Sequence, residues 1–167
     1  VDLIRYLVGE IASVQAIESN KTRKTQIEDT TVILLQFKNG ALGIMTVSDT
    51  IVSPLSWELT AKENPAYPAT KQNCYSIGGT HGTLEIPPGR IWSQDTKNGV
   101  ERSWWNPINN DAYTVEVADS LDVQIDHFCD VIEGKAKPIV SGEEGLKLLR
   151  VIEAIKQTAE NKTTIHL

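Results

Sequence analysis

The sequence predicts an α+β domain: an open, mostly antiparallel sheet with helices packed on one face. Three observations carry this prediction. Strand-like runs dominate the first two thirds of the chain, two runs with helical spacing fill the last third, and the βαβ alternation of a nucleotide-binding sheet is missing. The clearest run is Thr31 to Ser48, TVILLQFKNGALGIMTVS, in which Lys38-Asn39-Gly40 separates two apolar arms. Asn-Gly between apolar arms is a strong hairpin signal, because a tight reversal needs residues that accept positive φ. Val32, Ile33, Leu34, Leu35 and Phe37 place apolar groups on both faces of the first arm. It reads as an interior strand with little free surface on either side.

Taken in order, Val1 to Val8 reads as a short helix stopped by Gly9, and Ile11 to Ile17 as a strand. Residues 18 to 30 form a polar connection to the hairpin. Ser56 to Thr60, SWELT, reads as a strand, followed by a turn-rich stretch with Pro65 and Pro68. Long connections of this kind more often serve a function than not. Cys74 to Ile86 reads as a second hairpin around Gly78-Gly79-Thr80-His81-Gly82. Its glycines lack the GxGxxG or GxxxxGK spacing, and a strand follows where a phosphate loop needs a helix. Arg90 to Gln94 and Val100 to Trp105 read as a strand pair turning at Lys97-Asn98-Gly99, and Asn106 to Asp119 as loop.

Ser120 to Glu133 places Leu121, Ile125, Phe128 and Ile132 on one stripe suited to a sheet. Gly134 and Pro138 end that helix, and Ser141 with Glu144 forms the capping box of another, whose expected buried face is Leu146, Leu149, Ile152 and Ile155. Thr163 to Leu167 reads as an edge strand.

Composition narrows the function classes. At 167 residues the chain can bury one substantial core, and 1–167 reads as a single domain. Its 16 basic and 22 acidic residues give a net charge of −6 with no long block of one sign, which argues against nucleic acid or an anionic membrane as partner. Lys21, Arg23 and Lys24 form the densest basic cluster and read as a solvated loop. No apolar run approaches the about 20 residues that cross a bilayer. Cys74 and Cys129 have no CxxC or zinc spacing, so they are expected as buried thiols in a reducing, cytoplasmic setting. The three histidines sit in no ligand motif, and no metal is expected. The chain begins at Val1 inside a predicted helix, which suggests a piece of a longer protein.

Four stretches together resemble a family. DLIRYLVGE, EDTTVILLQFKNGALG, GGTHGTLEI and QIDHFCDVIEGKAKPIVSGEEGLKLLRVIEAI, in this order and spacing, are similar to the C-terminal domain of the Gfo/Idh/MocA oxidoreductases, and the resemblance runs from Val1 to Leu167. It implies a dihydrodipicolinate-reductase-like domain of a two-domain dehydrogenase, whose N-terminal Rossmann half binds NAD or NADP and whose C-terminal half covers the substrate and builds the oligomer interface. In that family a lysine of an EKP-type motif and a histidine of an HxxD-type motif serve the hydride transfer. Asp2 resembles the last residue of HxxD, and the histidine would fall three positions earlier, outside this chain. The resemblance therefore implies a fragment that holds no cofactor and no catalytic residue and is inactive alone.

For substrate recognition four residues stand out. Trp57 offers an indole face and an N–H to a sugar, and Tyr67 lies in the long loop where it would close over a polyol. Gln124 and His127 share one helix edge at i, i+3 spacing. Each has a structural alternative: a packed sheet aromatic, a surface tyrosine, a helix histidine satisfied beside Phe128. Glu58 and Asp29 are weaker hydroxyl-binding candidates, His81 is expected to be exposed, and Arg5 is expected to pair with Asp2 or Glu10. The apolar second face of the hairpin sheet is expected to meet another copy of the chain. Two other classes stay open: a redox-inactive binding or assembly module on the same sheet, and an unrelated carbohydrate-binding domain using Trp57, Trp104 and Trp105.

Overall fold

A computed structural model of the chain describes residues 1–94, 101–114 and 118–167. These residues form two units, Val1–Ile51 with Pro138–Leu167, and Val52–Lys137. The predicted α+β class holds, with every described strand pair antiparallel and the strands divided between two four-stranded sheets.

The first unit opens with α1 (Asp2–Val8), which ends at Gly9 as expected. Strands β1 (Ile11–Ser19), β2 (Thr30–Phe37) and β3 (Leu42–Ser48) follow. Gly40 takes φ +88° at the tip of the β2–β3 hairpin. Asn39 anchors this tip: its Oδ1 accepts from the Ala41 N–H at 3.0 Å and its Nδ2 donates to the Val8 carbonyl at 2.8 Å. The helix α4 (Gly142–Asn161) and the short β8 (Ile165–His166) complete the unit, in the sheet order β3-β2-β1-β8. The edge strand is therefore where the sequence puts it.

Burial follows the pleat. Ile33, Leu35 and Phe37 of β2 are buried, together with Ile11, Val14 and Ala16 of β1, whereas Val32 and Leu34 are 45% and 52% exposed. The expectation of two covered faces is thus corrected. β2 is interior in the lateral sense, but successive side chains point to opposite faces and only one of these is covered. Covering it are Val151, Ala154, Ile155 and Thr158 of α4, at i, i+3, i+4 and i+7. Of the expected face only Ile155 is buried; Leu146, Leu149 and Ile152 are exposed. The helix presents its small residues, Ala154 and Thr158, to the sheet, and a phase chosen by the large aliphatics misses that close approach. Each fully buried aliphatic or phenyl side chain stabilises the unit by about 1.5–3 kcal/mol.

Charge fastens the helices to each other. Arg5, with only 4% of its side chain exposed, binds Glu10 at 2.9 Å and Glu144 at 2.8 Å, with Asp2 farther away at 3.9 Å. The expected ion pair is present, and Glu144 enlarges it. Ser141 caps α4 by accepting from the Glu144 N–H at 3.3 Å. The Glu144 carboxylate, which a full capping box would return to the cap, is used instead by Arg5 and Lys147.

In the second unit the structure departs further from the periodicity. SWELT forms a one-turn helix, α2 (Trp57–Ala61), instead of a strand. Five residues fit either pattern, and the capping chemistry decides: the Ser56 Oγ accepts from the Leu59 N–H at 3.3 Å, and the Thr60 Oγ1 donates to the Ser56 carbonyl at 2.7 Å. The hairpin β4 (Tyr75–Gly78) and β5 (Gly82–Ile86) forms where expected. A Cβ at Gly82 would lie 2.5 Å from the Trp92 carbonyl oxygen, so this close approach of two strands requires glycine. The next strand, β6 (Arg90–Ser93), is also as expected, but its partner is not. It pairs with β7 (Asn109–Ala112), read from sequence as loop, while residues 101–105 are not strand. The Lys97-Asn98-Gly99 turn and Val100 lie outside the described residues. β7 reads NNDA and is exposed throughout; its pairing uses backbone groups, to which residue propensity is blind.

Finally α3 (Ser120–Ile132) starts at the Asp119 cap, whose Oδ1 accepts from the Leu121 N–H at 2.9 Å. It has no buried residue, and Leu121, Ile125, Phe128 and Ile132 are all exposed. The expected burial of this stripe on a sheet is corrected, and α3 belongs to the second unit, Val52–Lys137. The thiols are corrected too, since Cys74 is half-buried and Cys129 exposed.

Candidate functional site

Trp57, the first residue of α2, is oriented by two contacts. Its indole Nε1–H donates to the Glu63 Oε2 at 3.0 Å, and its ring meets Tyr75 edge-on, with centroids 6.1 Å apart and planes at 64°. The N–H that sequence reasoning offers to a sugar is therefore used by Glu63, which leaves the ring itself for contact. Burial raises the Tyr75 phenol above its ordinary value, with Cys74 and Glu58 adding to the shift, so it stays protonated at neutral pH.

The loop after α2 is ordered by its own polar residues. Asn64 accepts from the Ala66 N–H at 2.9 Å through its side chain, in the manner of an Asx turn. Thr70 ties the far end back, its N–H donating to the Leu59 carbonyl at 2.7 Å and its Oγ1 to the Pro54 carbonyl at 3.1 Å. This folding brings Tyr67 to a cavity of about 520 Å³ that also includes Trp57, Glu58, Glu63, Asn64 and, from the start of α3, Asp119. Trp57 and Glu63 also line a second cavity of about 680 Å³, with Thr60, Lys71, Pro87 and Arg90. In that second cavity Arg90 is held by Glu85 at 2.6 Å.

Two of the four predicted site residues, Trp57 and Tyr67, thus meet at one cavity. Gln124 and His127 sit farther along α3, and neither is among the residues lining it. Gln124 is exposed and His127 half-buried. Sequence reasoning passed over Glu63, Asn64 and Asp119; the Asn64-Pro65 pair and the Asp before an apolar helical run were the available signals. Glu58 lines the cavity, whereas Asp29 is occupied, its buried carboxylate accepting from the backbone N–H groups of Thr22 and Arg23 at 2.9 and 3.0 Å. These backbone bonds, Arg23's first, hold Asp29 below the usual carboxylate range. Arg23 itself pairs with Asp49 at 2.9 Å in the solvated loop that the sequence predicts. His81 is exposed, as expected.

A groove of about 710 Å³ in the first unit, lined by Ile11, Leu146, Leu149 and Leu167, is bordered by Lys38 and Arg150 and contains none of the candidate residues. Among the described residues no group of His, Cys, Asp and Glu is arranged to hold a metal ion. No described helix is long and apolar enough to cross a membrane.

Among the described residues no glycine-rich turn fits a dinucleotide. Gly78, Gly79 and Gly82 belong to a hairpin that continues as β5, and Gly142 at the start of α4 is followed by Glu143 and Glu144, whose charges oppose a pyrophosphate.

Three known proteins are similar to this chain over nearly its whole length. D-apiose dehydrogenase of Rhizobium rhizogenes is 24% identical over 179 residues, an alignment that covers all of this chain and 46% of the relative. Aldose-aldose oxidoreductase of Caulobacter crescentus, solved with glycerol, is 26% identical with a TM-score of 0.67 over 99% of this chain and 44% of its own. The WlbA dehydrogenase of Bordetella pertussis, solved with NADH and UDP-GlcNAcA, is 25% identical with a TM-score of 0.63, covering 99% of this chain and 41% of its own. The chain thus spans less than half the length of each of these relatives. Trp104 and Trp105, 100% and 93% exposed, lent weight to an unrelated carbohydrate-binding domain, and that reading falls. Residues 1–167 match the oxidoreductase family's C-terminal alpha/beta domain from end to end, and the chain belongs to the Gfo/Idh/MocA oxidoreductase family.

Proposed function

We propose that this chain is the substrate-binding and oligomerisation domain of an NAD(P)-dependent oxidoreductase acting on a sugar, polyol or related hydroxy compound. The observation that supports this most is the cavity uniting Trp57 and Tyr67 with the acceptors Glu58, Glu63 and Asn64. Aromatic faces suit the C–H faces of a sugar ring, and carboxylate and amide oxygens accept from its hydroxyls. Gln124 and His127 lie farther along α3, outside the cavity lining, and this reading keeps them as substrate contacts from the helix whose first turn borders it. The bound nicotinamide supplies the redox chemistry, and the fold of these residues positions and encloses the substrate. On this reading the cofactor site, the lysine and the histidine lie outside residues 1–167, and the chain alone is expected to be inactive.

Oligomerisation uses the open face of the first unit's sheet. In register across β1, β2 and β3, Ile17, Val32 and Thr46 form one row, and Leu34 and Ile44 lie in the next. Ile17, Leu42 and Ile44 are 75%, 80% and 81% exposed, and such an apolar face on an open sheet is suited to a second copy of the chain.

In the full-length enzyme, Trp57→Ala is expected to raise KM about tenfold, about 1.4 kcal/mol, with a smaller change in kcat. An unchanged KM would remove Trp57 from the site. Titration of the chain alone with NADH is expected to show no tight binding; tight binding would overturn the division of labour.

A further inference from the structure

Resting on the sugar-site reading above, we propose that the Trp57–Tyr67 cavity selects uncharged or amino-substituted sugars and polyols and turns away acidic ones such as uronates, aldonates and sugar phosphates. The lining decides this. Among its described residues are three carboxylates, Glu58, Glu63 and Asp119, and no Lys, Arg or His. Glu63 keeps acceptor capacity toward a ligand, because the Trp57 N–H engages its Oε2 while a carboxylate has about four lone-pair sites over two oxygens. Asp119 is held at the cavity by its capping bond to Leu121, and Glu58 by its place on α2. A hydroxyl or an ammonium donates to these groups. A carboxylate or phosphate cannot, and it meets charge of its own sign.

The neighbouring cavity shows that this character is local. Across the Trp57–Glu63 contact, the lining carries Lys62, Lys71 and Arg90, with Arg90 engaged by Glu85. The two chambers are comparable in volume, about 520 and about 680 Å³, so charge and not size distinguishes what each accepts. Trp57 borders both, whereas Tyr67 borders only the acidic one. Tyr67 is therefore the reporter that separates them.

The test is ¹⁹F NMR of the 167-residue chain labelled with 3-fluorotyrosine, whose four tyrosines give four signals, with the Tyr67 signal assigned through Tyr67→Phe. The probes are D-glucose, D-xylose, xylitol and D-glucosamine against D-glucuronate and D-gluconate at pH 7. At least one uncharged or amino probe is expected to shift the Tyr67 signal, with the acidic probes at least about tenfold weaker, about 1.4 kcal/mol. Glu58→Gln, a change at an exposed side chain, is expected to narrow this gap several-fold, as is added salt. An acidic probe that shifts Tyr67 as readily as its neutral counterpart would overturn the charge selection and leave the sugar site standing. If no probe of either kind shifts Tyr67, the sugar-site reading itself falls, and the selectivity with it.

Discussion

The two units of this chain differ in where their stability and their chemistry reside. The nine buried hydrophobic residues identified among the described residues all belong to the first unit, on β1, β2 and α4. Among its described residues the second unit buries only Thr60 to the same degree, yet it holds Trp57, Tyr67 and the acidic cavity. A dense apolar core leaves no room for a polar ligand, and a ligand cavity needs surfaces that the core cannot spare. The chain meets both needs by keeping them in different segments.

Substitutions chosen in each unit test that division. The largest effect is expected at Leu35, buried on β2, where Leu35→Ala should cost about 2–5 kcal/mol in urea unfolding. Phe128→Ala, at an exposed position of α3, should stay within about 0.5 kcal/mol. Equal losses at the two sites would break the comparison. Next is Leu34, one residue from Leu35 but on the open face. Leu34→Lys should leave the unfolding midpoint close to that of the parent chain while abolishing self-association in light scattering. A strict monomer before the substitution would refute the proposed interface.

The smallest effect concerns pH. Hydrogen bonding by Lys147 first, and then by Arg5, lowers the Glu144 pKa below its ordinary value. A carboxylate whose pKa is lower when folded stabilises the fold above its unfolded pKa, about 4.3 for Glu, and that contribution is lost as pH falls through the folded value. Glu144→Gln should therefore melt lower at neutral pH and lose less of its melting temperature between about pH 5 and pH 3. Asp29 shifts in the same direction and retains its acid response in this variant. An acid profile identical to that of the parent chain would show that Glu144 contributes nothing through its charge.

Legibility in the sequence divides along the same line. In the first unit the β2–β3 hairpin, the edge strand and the Ser141 cap were all readable, because local signals and tertiary structure agree there. The second unit kept α2 and β7 hidden. A five-residue segment has no periodicity to separate strand from helix, and β7 is made by backbone pairing with β6 and not by its side chains. For the site, the aromatic residues Trp57 and Tyr67 could be picked out by type. Asp119 was legible only as a helix cap, and nothing local marked Glu63, which enters through its hydrogen bond to the Trp57 indole.

By itself the sequence determined the α+β class, the family and the hairpin register, since alternation, turn residues and motif order are all local properties of the chain. Only the tertiary structure decided which face of each element is covered. An apolar residue on a strand or helix states a preference for burial, but the partner that satisfies it is chosen by close packing. That is why Ala154 and Thr158, and not Leu146 and Leu149, meet the sheet, and why Leu34 remains exposed beside the buried Leu35.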